Sequence, residues 1–349
     1  MLKNTIPFID MRGKTPVDML RAYPDKAHAL IRASRRTYGL LSNILAVFLL
    51  PWVDKRSHRW LKKAQNPYLH EIENFADLLR RRGVYTLNLC YEWGCTSGAY
   101  LAADTISLLR VLDWPFPDLG KHLVVALYKT PAGEYYNVTW PGLSGVYQAM
   151  APQRFAAALN QAPMRKHGLG IIGDWFKNRL LADKEKGMPP AHLLRQVFER
   201  ANNYQEAKEM LCNTKLAVPA IFTLTGLNPG EACIIERLEN TAEVKEMQAG
   251  HTVNAANDFM SGIAQIGDGW RPREPDSAGR YRQSMAITGY DLQKKDFNWM
   301  RGPIINPFTR LVMQADAATE ALMVQGFDGA TMVTDLFVLP TKTVEKEAS

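Results

Sequence analysis

"YEWGCTSG", residues 91–98, sets a thiol between a glycine and a Thr-Ser pair and opens the run CTSGAYLAADTISLLRVLDWPF, residues 95–116. Cys95 has no second cysteine at CxxC spacing and no histidine within twenty residues on either side. A thiol is mostly protonated at neutral pH and needs a base to act as a nucleophile. One base needs no partner residue. Were the Gly94–Cys95 peptide bond cut, the cysteine would carry its own α-amine, which titrates near 7.7–8.0 and activates nucleophiles in other N-terminal systems. Arg110 lies fifteen residues beyond Cys95 and Asp113 three further. A strand out, a turn and a strand back would bring them to the cysteine. Asp113 could then hold the ammonium, and Arg110 could favour the thiolate or bind an acyl carbonyl.

The 349 residues suffice for one large domain or two small ones. Hydrophobic content of 46% and charge of 22% are those of a folded chain rather than a disordered one. The four cysteines, Cys90, Cys95, Cys212 and Cys233, have neither zinc nor redox spacing. Their number suits a reducing compartment. The seven histidines are dispersed and none is assigned to metal. The segment 142–146, GLSGV, is not a G-x-S-x-G elbow, and Walker A and G-x-G-x-x-G turns are missing. Nucleotide, dinucleotide and serine-hydrolase chemistry lose their usual support.

Residues 1–94 hold 16 Lys/Arg against 8 Asp/Glu, and residues 95–349 hold 26 against 27. The positive charge therefore lies before Cys95. It surrounds the most apolar window, TYGLLSNILAVFLLPWV, residues 37–53, which is marginal for a bilayer span. Basic residues flanking an apolar helix point to peripheral contact with an anionic lipid surface. RNA-binding aromatic signatures and helix-turn-helix patterns are not found, so nucleic acid is not an expected partner. The first sixteen residues lack the apolar core of a secretory signal, so a cytoplasmic or peripheral membrane location is expected. Asn137-Val-Thr139 counts as a sequon only for a secreted chain.

Apolar spacing predicts helices through residues 15–83, with stop signals at Asn66-Pro67 and Gly83. VYTLNLCYEW, residues 84–93, alternates as a strand does. KHLVVALYKTPAGEYYNVTW, residues 121–140, reads as two strands around a Pro-Ala-Gly turn. A second hairpin is expected around Asn228-Pro229-Gly230. Between the hairpins, PQRFAAALNQ (152–161) and residues 189–213 read as helices. Separate runs of hairpins and helices predict an α+β layered fold with antiparallel sheets.

The run from Cys95 resembles the acid ceramidase and N-acylethanolamine acid amidase family of N-terminal nucleophile (Ntn) cysteine hydrolases, related to the choloylglycine hydrolases. Cys95, Thr96, Ser97, Arg110, Asp113 and Trp114 match its motif. WPGLSGVYQAMAPQRFAAALNQ, residues 201–237, VNAANDF and DSAGRYR extend the likeness over residues 85 to about 340. The resemblance implies a four-layer αββα sandwich over residues 95–349. Residues 1–94 become a helical prosegment, or small subunit after self-cleavage between Gly94 and Cys95. It further implies Cys95 as nucleophile, Arg110 and Asp113 lining the site, Asn257 as oxyanion donor, and Arg280 beside them. Asn254 and Arg282 are close competitors for the last two places. Trp114, Trp140 and Gln161 are expected at the substrate. Gln161 stands where relatives commonly carry a glutamate, so that acidic group is missing. No cofactor is implied. The expected substrate is a fatty N-acyl amide such as a ceramide or an N-acylethanolamine. The alternatives are a bile-salt, penicillin V or acyl-homoserine-lactone type of acylase, or an unprocessed lipid-binding homologue.

Overall fold

The described part of residues 15–83 is largely helical, as its spacing predicts, and it is not a separate body. The computed structural model describes residues 4–36, 39–89, 93–102, 104–248, 251–267, 269–271 and 276–339, with backbone only for 35–36 and 39–49. The chain enters as β1 (Phe8–Asp10), followed by α1 (Pro16–Ala22), α2 (Pro24–Arg36), α3 (Gly39–Lys63), α4 (Leu69–Leu79) and α5 (Val84–Asn88). Pro16 begins α1 where its missing N–H costs nothing, and Asp18 accepts hydrogen bonds from the Thr15 N–H and hydroxyl at 2.9 Å each. Asp54 of α3, a buried carboxylate, accepts from the Gly83 and Thr86 N–H groups at 2.8 and 2.9 Å and so fixes the start of α5. The alternation seen in residues 84–93 is thus overridden at 84–88 by this helical turn. Cys90 lies outside the described residues. So do Thr37, Tyr38 and the side chains of 39–49 within the apolar window.

Next come β2 (Gly94–Ala102) and β3 (Thr105–Asp113), then β4 (Val124–Thr130), β5 (Gly133–Thr139), β6 (Gln148–Ala151), β7 (Phe155–Gln161) and β8 (Met164–Arg165). Helices α6 (Gly170–Ala182), α7 (Pro190–Arg200) and α8 (Tyr204–Asn213) lead to β9 (Ala220–Thr225), β10 (Ala232–Arg237), β11 (Ala242–Glu246), β12 (Val253–Ala255) and β13 (Trp270–Arg271). The chain closes with α9 (Ser277–Met285), α10 (Gly289–Leu292), β14 (Thr309–Asp316), β15 (Ala321–Asp328), β16 (Thr331–Met332) and β17 (Phe337–Val338). The helix expected over 152–161 is strand β7. All seven of its residues are buried, so it shows no polar alternation, and its alanines mimic a helical run. Residues 189–213 form two helices because Ala201 turns extended, and Asn203 then caps α8 by accepting from the Glu206 N–H.

Among the described residues, one sheet runs β1-β4-β5-β6-β7-β9-β10-β11 and a second runs β12-β2-β3-β14-β15-β16, with β17 on β15. The sheets face each other through β2, β3, β7 and β9. Helices α7 and α8 cover the outer face of the first, and α9 and α10 that of the second. This is the four-layer αββα sandwich. β1 joins the first sheet parallel to β4, and residues from α1–α5 share one hydrophobic core with β4–β7.

A buried polar network also ties the N-terminal helices to the sheet. Asn66, after α3, accepts from the Tyr68 N–H through Oδ1, which turns its Nδ2 to His192 Nδ1 at 2.9 Å. With Nδ1 thus an acceptor, the His192 proton sits on Nε2 and donates to Ser144 Oγ at 2.7 Å. Burial holds His192 down to about 3, so it is neutral. Asn88 of α5 reaches the same loop, accepting from the Ser144 N–H and donating to the Gly142 carbonyl.

Candidate active site

Strands β2 and β3 pair in the register Gly94↔Asp113, Cys95↔Leu112 and Ser97↔Arg110. Strand alternation then decides what each side chain meets. Cys95, Ser97 and Arg110 point between the sheets, whereas Thr96 and Asp113 point to the α9 side. The three-residue spacing of Arg110 and Asp113 therefore sends them to opposite faces of β3. Arg110 donates to Asn160 Oδ1 of β7 at 2.5 Å, and Ser97 Oγ donates to the same oxygen at 3.0 Å and meets Thr223 Oγ1 at 2.6 Å. Asn160 Nδ2 donates in turn to the Ala255 and Ala256 carbonyls. On the other face, Thr309 donates to Asp113 Oδ1 at 2.9 Å, while Asp113 Oδ2 lies 3.8 Å from Arg280 Nη1.

Asn257 and Arg280 bracket the cysteine backbone. The Cys95 N–H donates to Asn257 Oδ1 at 2.7 Å, and Arg280 Nη2 donates to the same oxygen at 2.8 Å. Arg280 Nη1 donates to the Cys95 carbonyl and to Thr96 Oγ1. Asn257 is held by its own N–H to Ser277 Oγ at 2.9 Å and by Nδ2 to the Gln161 carbonyl at 2.7 Å. Among the competitors, Asn254 sits on β12 and donates to Thr252 Oγ1, and Arg282 is exposed. Neither reaches the cysteine. Its Nδ2 being engaged, Asn257 serves in the uncut chain as an acceptor for the Cys95 nitrogen. An oxyanion role would need that bond exchanged.

Cys95, Arg110, Asp113 and Arg280 are wholly buried. Burial pushes the Cys95 thiol up, against the pull of Arg110 and Arg280, so the uncut chain holds a protonated thiol. Burial likewise pushes the Asp113 carboxyl up, countered first by Arg280. Ser144, His192 and Asn66 also stand in nucleophile–base–orienter order, but the His192 Nε2 proton points at the serine, so the imidazole cannot take the hydroxyl proton there.

Gln161 ends β7 beside Cys95. Its Oε1 accepts from the Trp93 N–H at 2.8 Å, and its backbone N–H favours the Cys95 thiolate against burial. Trp114 is buried in an aromatic nest with Trp93, Phe116, Trp140 and Tyr147. Trp140 lies behind it, donating to the Leu119 carbonyl at 2.8 Å. A cavity of about 490 Å³ reaches Gln161 and Phe116 from between α3, α5 and α6, and neither Trp114 nor Trp140 lines it. The sequence reading did not single out Asn160, Thr223 or Thr309. Reading 155–161 as a strand would have turned Asn160 toward Arg110. Asn137 of the sequon is buried in β5. Among the described residues, Cys95, Cys212 and Cys233 are free thiols, no group of His, Cys, Asp and Glu is gathered as for a metal ion, and no helix is long and apolar enough to cross a membrane.

No family model matches the chain. The N-acylethanolamine-hydrolyzing acid amidase of Cavia porcellus is 23% identical over 178 residues, covering 49% of this chain and 48% of that protein. The acid ceramidase of Heterocephalus glaber is 26% identical over 210 residues, covering 54% and 52%. The chain spans about half the length of these curated relatives. The solved structure of a Caenorhabditis elegans N-acylethanolamine-hydrolyzing acid amidase ortholog superposes with a TM-score of 0.50, over 70% of this chain and 100% of that one, at 17% identity. The chain thus resembles the acid ceramidase and N-acylethanolamine acid amidase family, and its fold is that of the Ntn hydrolases.

Proposed function

We propose that this chain is a self-processing amidase that hydrolyses fatty N-acyl amides through a thioester on Cys95. The observation that carries the reading is the Cys95 nitrogen bound to Asn257 Oδ1 at 2.7 Å inside a sealed set of Arg110, Asp113 and Arg280. Cutting Gly94–Cys95 turns that nitrogen into an amine, and Asn257 already holds it beside the sulfur. The free amine takes the thiol proton, and Arg110 favours the thiolate. The sulfur adds to the amide carbon, the oxyanion is met by donors such as the Gln161 N–H, and the departing amine receives the proton. Water then releases the acid and restores the thiol.

The cavity walls support this substrate class. Leu87, Leu89, Trp60, Phe116 and Leu181 suit an acyl chain, and the volume lies in the range of small-molecule pockets. Helix α6 borders this cavity and leaves Ile171 69%, Ile172 74% and Phe176 58% exposed, beside Trp52 of α3 at 55%. Lys55, Arg56 and Arg59 follow Trp52. This surface supports peripheral contact with an anionic bilayer, reaching beyond the window 37–53 into α6.

The test compares hydrolysis of a long-chain N-acyl ethanolamide, a glycine-conjugated bile salt, penicillin V and an acyl-homoserine lactone by the wild type and by Cys95→Ala. Turnover of the first substrate, lost in the variant, is expected. Preferred turnover of another moves the substrate class. Turnover that survives Cys95→Ala overturns the chemistry, and no turnover by an uncut chain leaves a lipid-binding homologue.

A further inference from the structure

Arg110 is wholly buried, yet its Nε and Nη2 meet no acceptor among the described residues. Its remaining nitrogen, Nη1, donates to Asn160 Oδ1 at 2.5 Å. A buried donor left open costs free energy unless an acceptor or an anion comes to meet it. The Cys95 sulfur stands on the same face of the β2–β3 ladder, whereas Asp113 and Arg280 meet on the opposite, α9 face. Against the burial that pushes the Cys95 thiol up, Arg110 exerts the strongest pull toward the thiolate. Where that guanidinium sits therefore bears directly on the nucleophile.

Asn160 holds the cation without cancelling it. Its Nδ2 donates to the Ala255 and Ala256 carbonyls at 3.2 and 2.9 Å. Carbonyls only accept, so the amide has one orientation, with Oδ1 turned to Arg110. Ser97 Oγ donates to that same oxygen at 3.0 Å and meets Thr223 Oγ1 at 2.6 Å. Asn160, Ser97 and Thr223 are all buried, and the amide is fixed from β2, β9 and the end of β12. Cys95 Sγ lies 3.8 Å from the carbonyl of Leu159, the residue before Asn160, so β7 touches both the sulfur and the cation. A neutral amide accepts from the guanidinium and leaves its charge for the sulfur, whereas a carboxylate would pair with it.

We propose that Asn160 is a positioning residue for Arg110 in both reactions of Cys95, holding one guanidinium nitrogen so that the other two stay open on the sulfur's face. The proposal rests on the self-processing reading above. In self-cleavage, Cys95 Sγ bonds to the Gly94 carbonyl carbon, the carbon–nitrogen bond to Cys95 breaks, and the thiol proton ends on the departing nitrogen. Water then hydrolyses the Gly94 thioester, leaving a Gly94 carboxylate and the free thiol. The same sulfur then attacks the amide substrate, so a displaced Arg110 slows both reactions. Substrate binding is a separate matter, because the cavity wall includes Gln161 but not Asn160.

The experiment takes the full chain as wild type, Asn160→Ala, which empties the site, and Asn160→Leu, which fills it without an acceptor, with circular dichroism to check folding. Self-cleavage is followed by intact mass, and the cut proteins are then assayed on a long-chain N-acyl ethanolamide. Both variants are expected to cut themselves about ten- to a hundredfold more slowly and to lose a similar factor in kcat, with KM within about twofold of wild type. Wild-type rates in a folded variant, a rise in KM that accounts for the loss, or a clear difference between the two variants overturns the inference alone. So does a pair of variants that fail to fold or never cut, since Asn160 is then structural. A wild-type chain that never cuts overturns the self-processing reading together with the inference. A wild type that cuts itself but leaves this amide intact moves the substrate class, and the self-cleavage rates then decide the inference.

Discussion

His192 makes the stability of this fold depend on pH in a way that one substitution should remove. Its Nδ1 faces the Asn66 amide N–H group and its Nε2 donates to Ser144, so a second proton would meet a donor in a fully buried site. Burial, with Arg195 nearby, holds its pKa at about 3 against an ordinary 6.5. The folded pKa is depressed, so between these values the unfolded chain binds the extra proton and the folded chain does not. The contribution is complete above 6.5 and is lost as pH falls toward about 3. From about pH 7.5 to about pH 4.5 the loss is on the order of 2–3 kcal/mol. The assay is urea unfolding at both pH values in the Cys95→Ala background, which keeps one covalent chain, with and without His192→Gln. The difference between the two pH dependences isolates His192 from the carboxylates that titrate in both. It should come to roughly 2–3 kcal/mol, the histidine chain losing more at acid pH. Parallel pH dependences would refute the buried, neutral assignment.

Other sites give sharper or more local outcomes. Arg280→Lys should slow self-cleavage about a hundredfold, because a single ammonium cannot fork between the Cys95 carbonyl and Asn257 Oδ1; wild-type rates by intact mass would contradict this. Asp54→Ala should cost about 1–2 kcal/mol in urea unfolding by uncapping α5, and a loss below a few tenths would show that α5 holds itself. Ile172→Asp on α6 should weaken sedimentation with anionic vesicles about tenfold or more while leaving the circular dichroism unchanged; undiminished vesicle binding would remove α6 from the lipid surface.

The sequence made the central pairing legible. Cys95 and Arg110 were expected to meet through a strand, a turn and a strand, and they do so on β2 and β3. The hairpins at 124–139 and 220–237 were marked by their turn residues. Two segments misled for physical reasons. PQRFAAALNQ is rich in the best helix former, yet its place between a helix layer and a second sheet makes it a strand buried on both faces. Residues 84–88 alternate, yet the Asp54 carboxylate caps them into a helix from thirty residues upstream. Spacing alone left Asn254 and Asn257, and Arg280 and Arg282, in competition. The pairing of β12 with β2 brings Asn257 to the cysteine, and the packing of α9 against β2 brings Arg280. The expectation of lipid contact rested on the basic apolar window; the exposed isoleucines of α6, on which the proposal also draws, lie in a segment of ordinary composition.

The central claim is that Gly94–Cys95 is a bond this protein cuts to release the amine of its own nucleophile. Intact mass of the purified wild-type chain beside Cys95→Ala, each incubated at acid and neutral pH, tests it most directly. The account predicts two fragments, residues 1–94 and 95–349, from the wild type and a single chain from the variant. A wild-type chain that stays whole in both conditions, or a Cys95→Ala chain that is cut at the same bond, would contradict it.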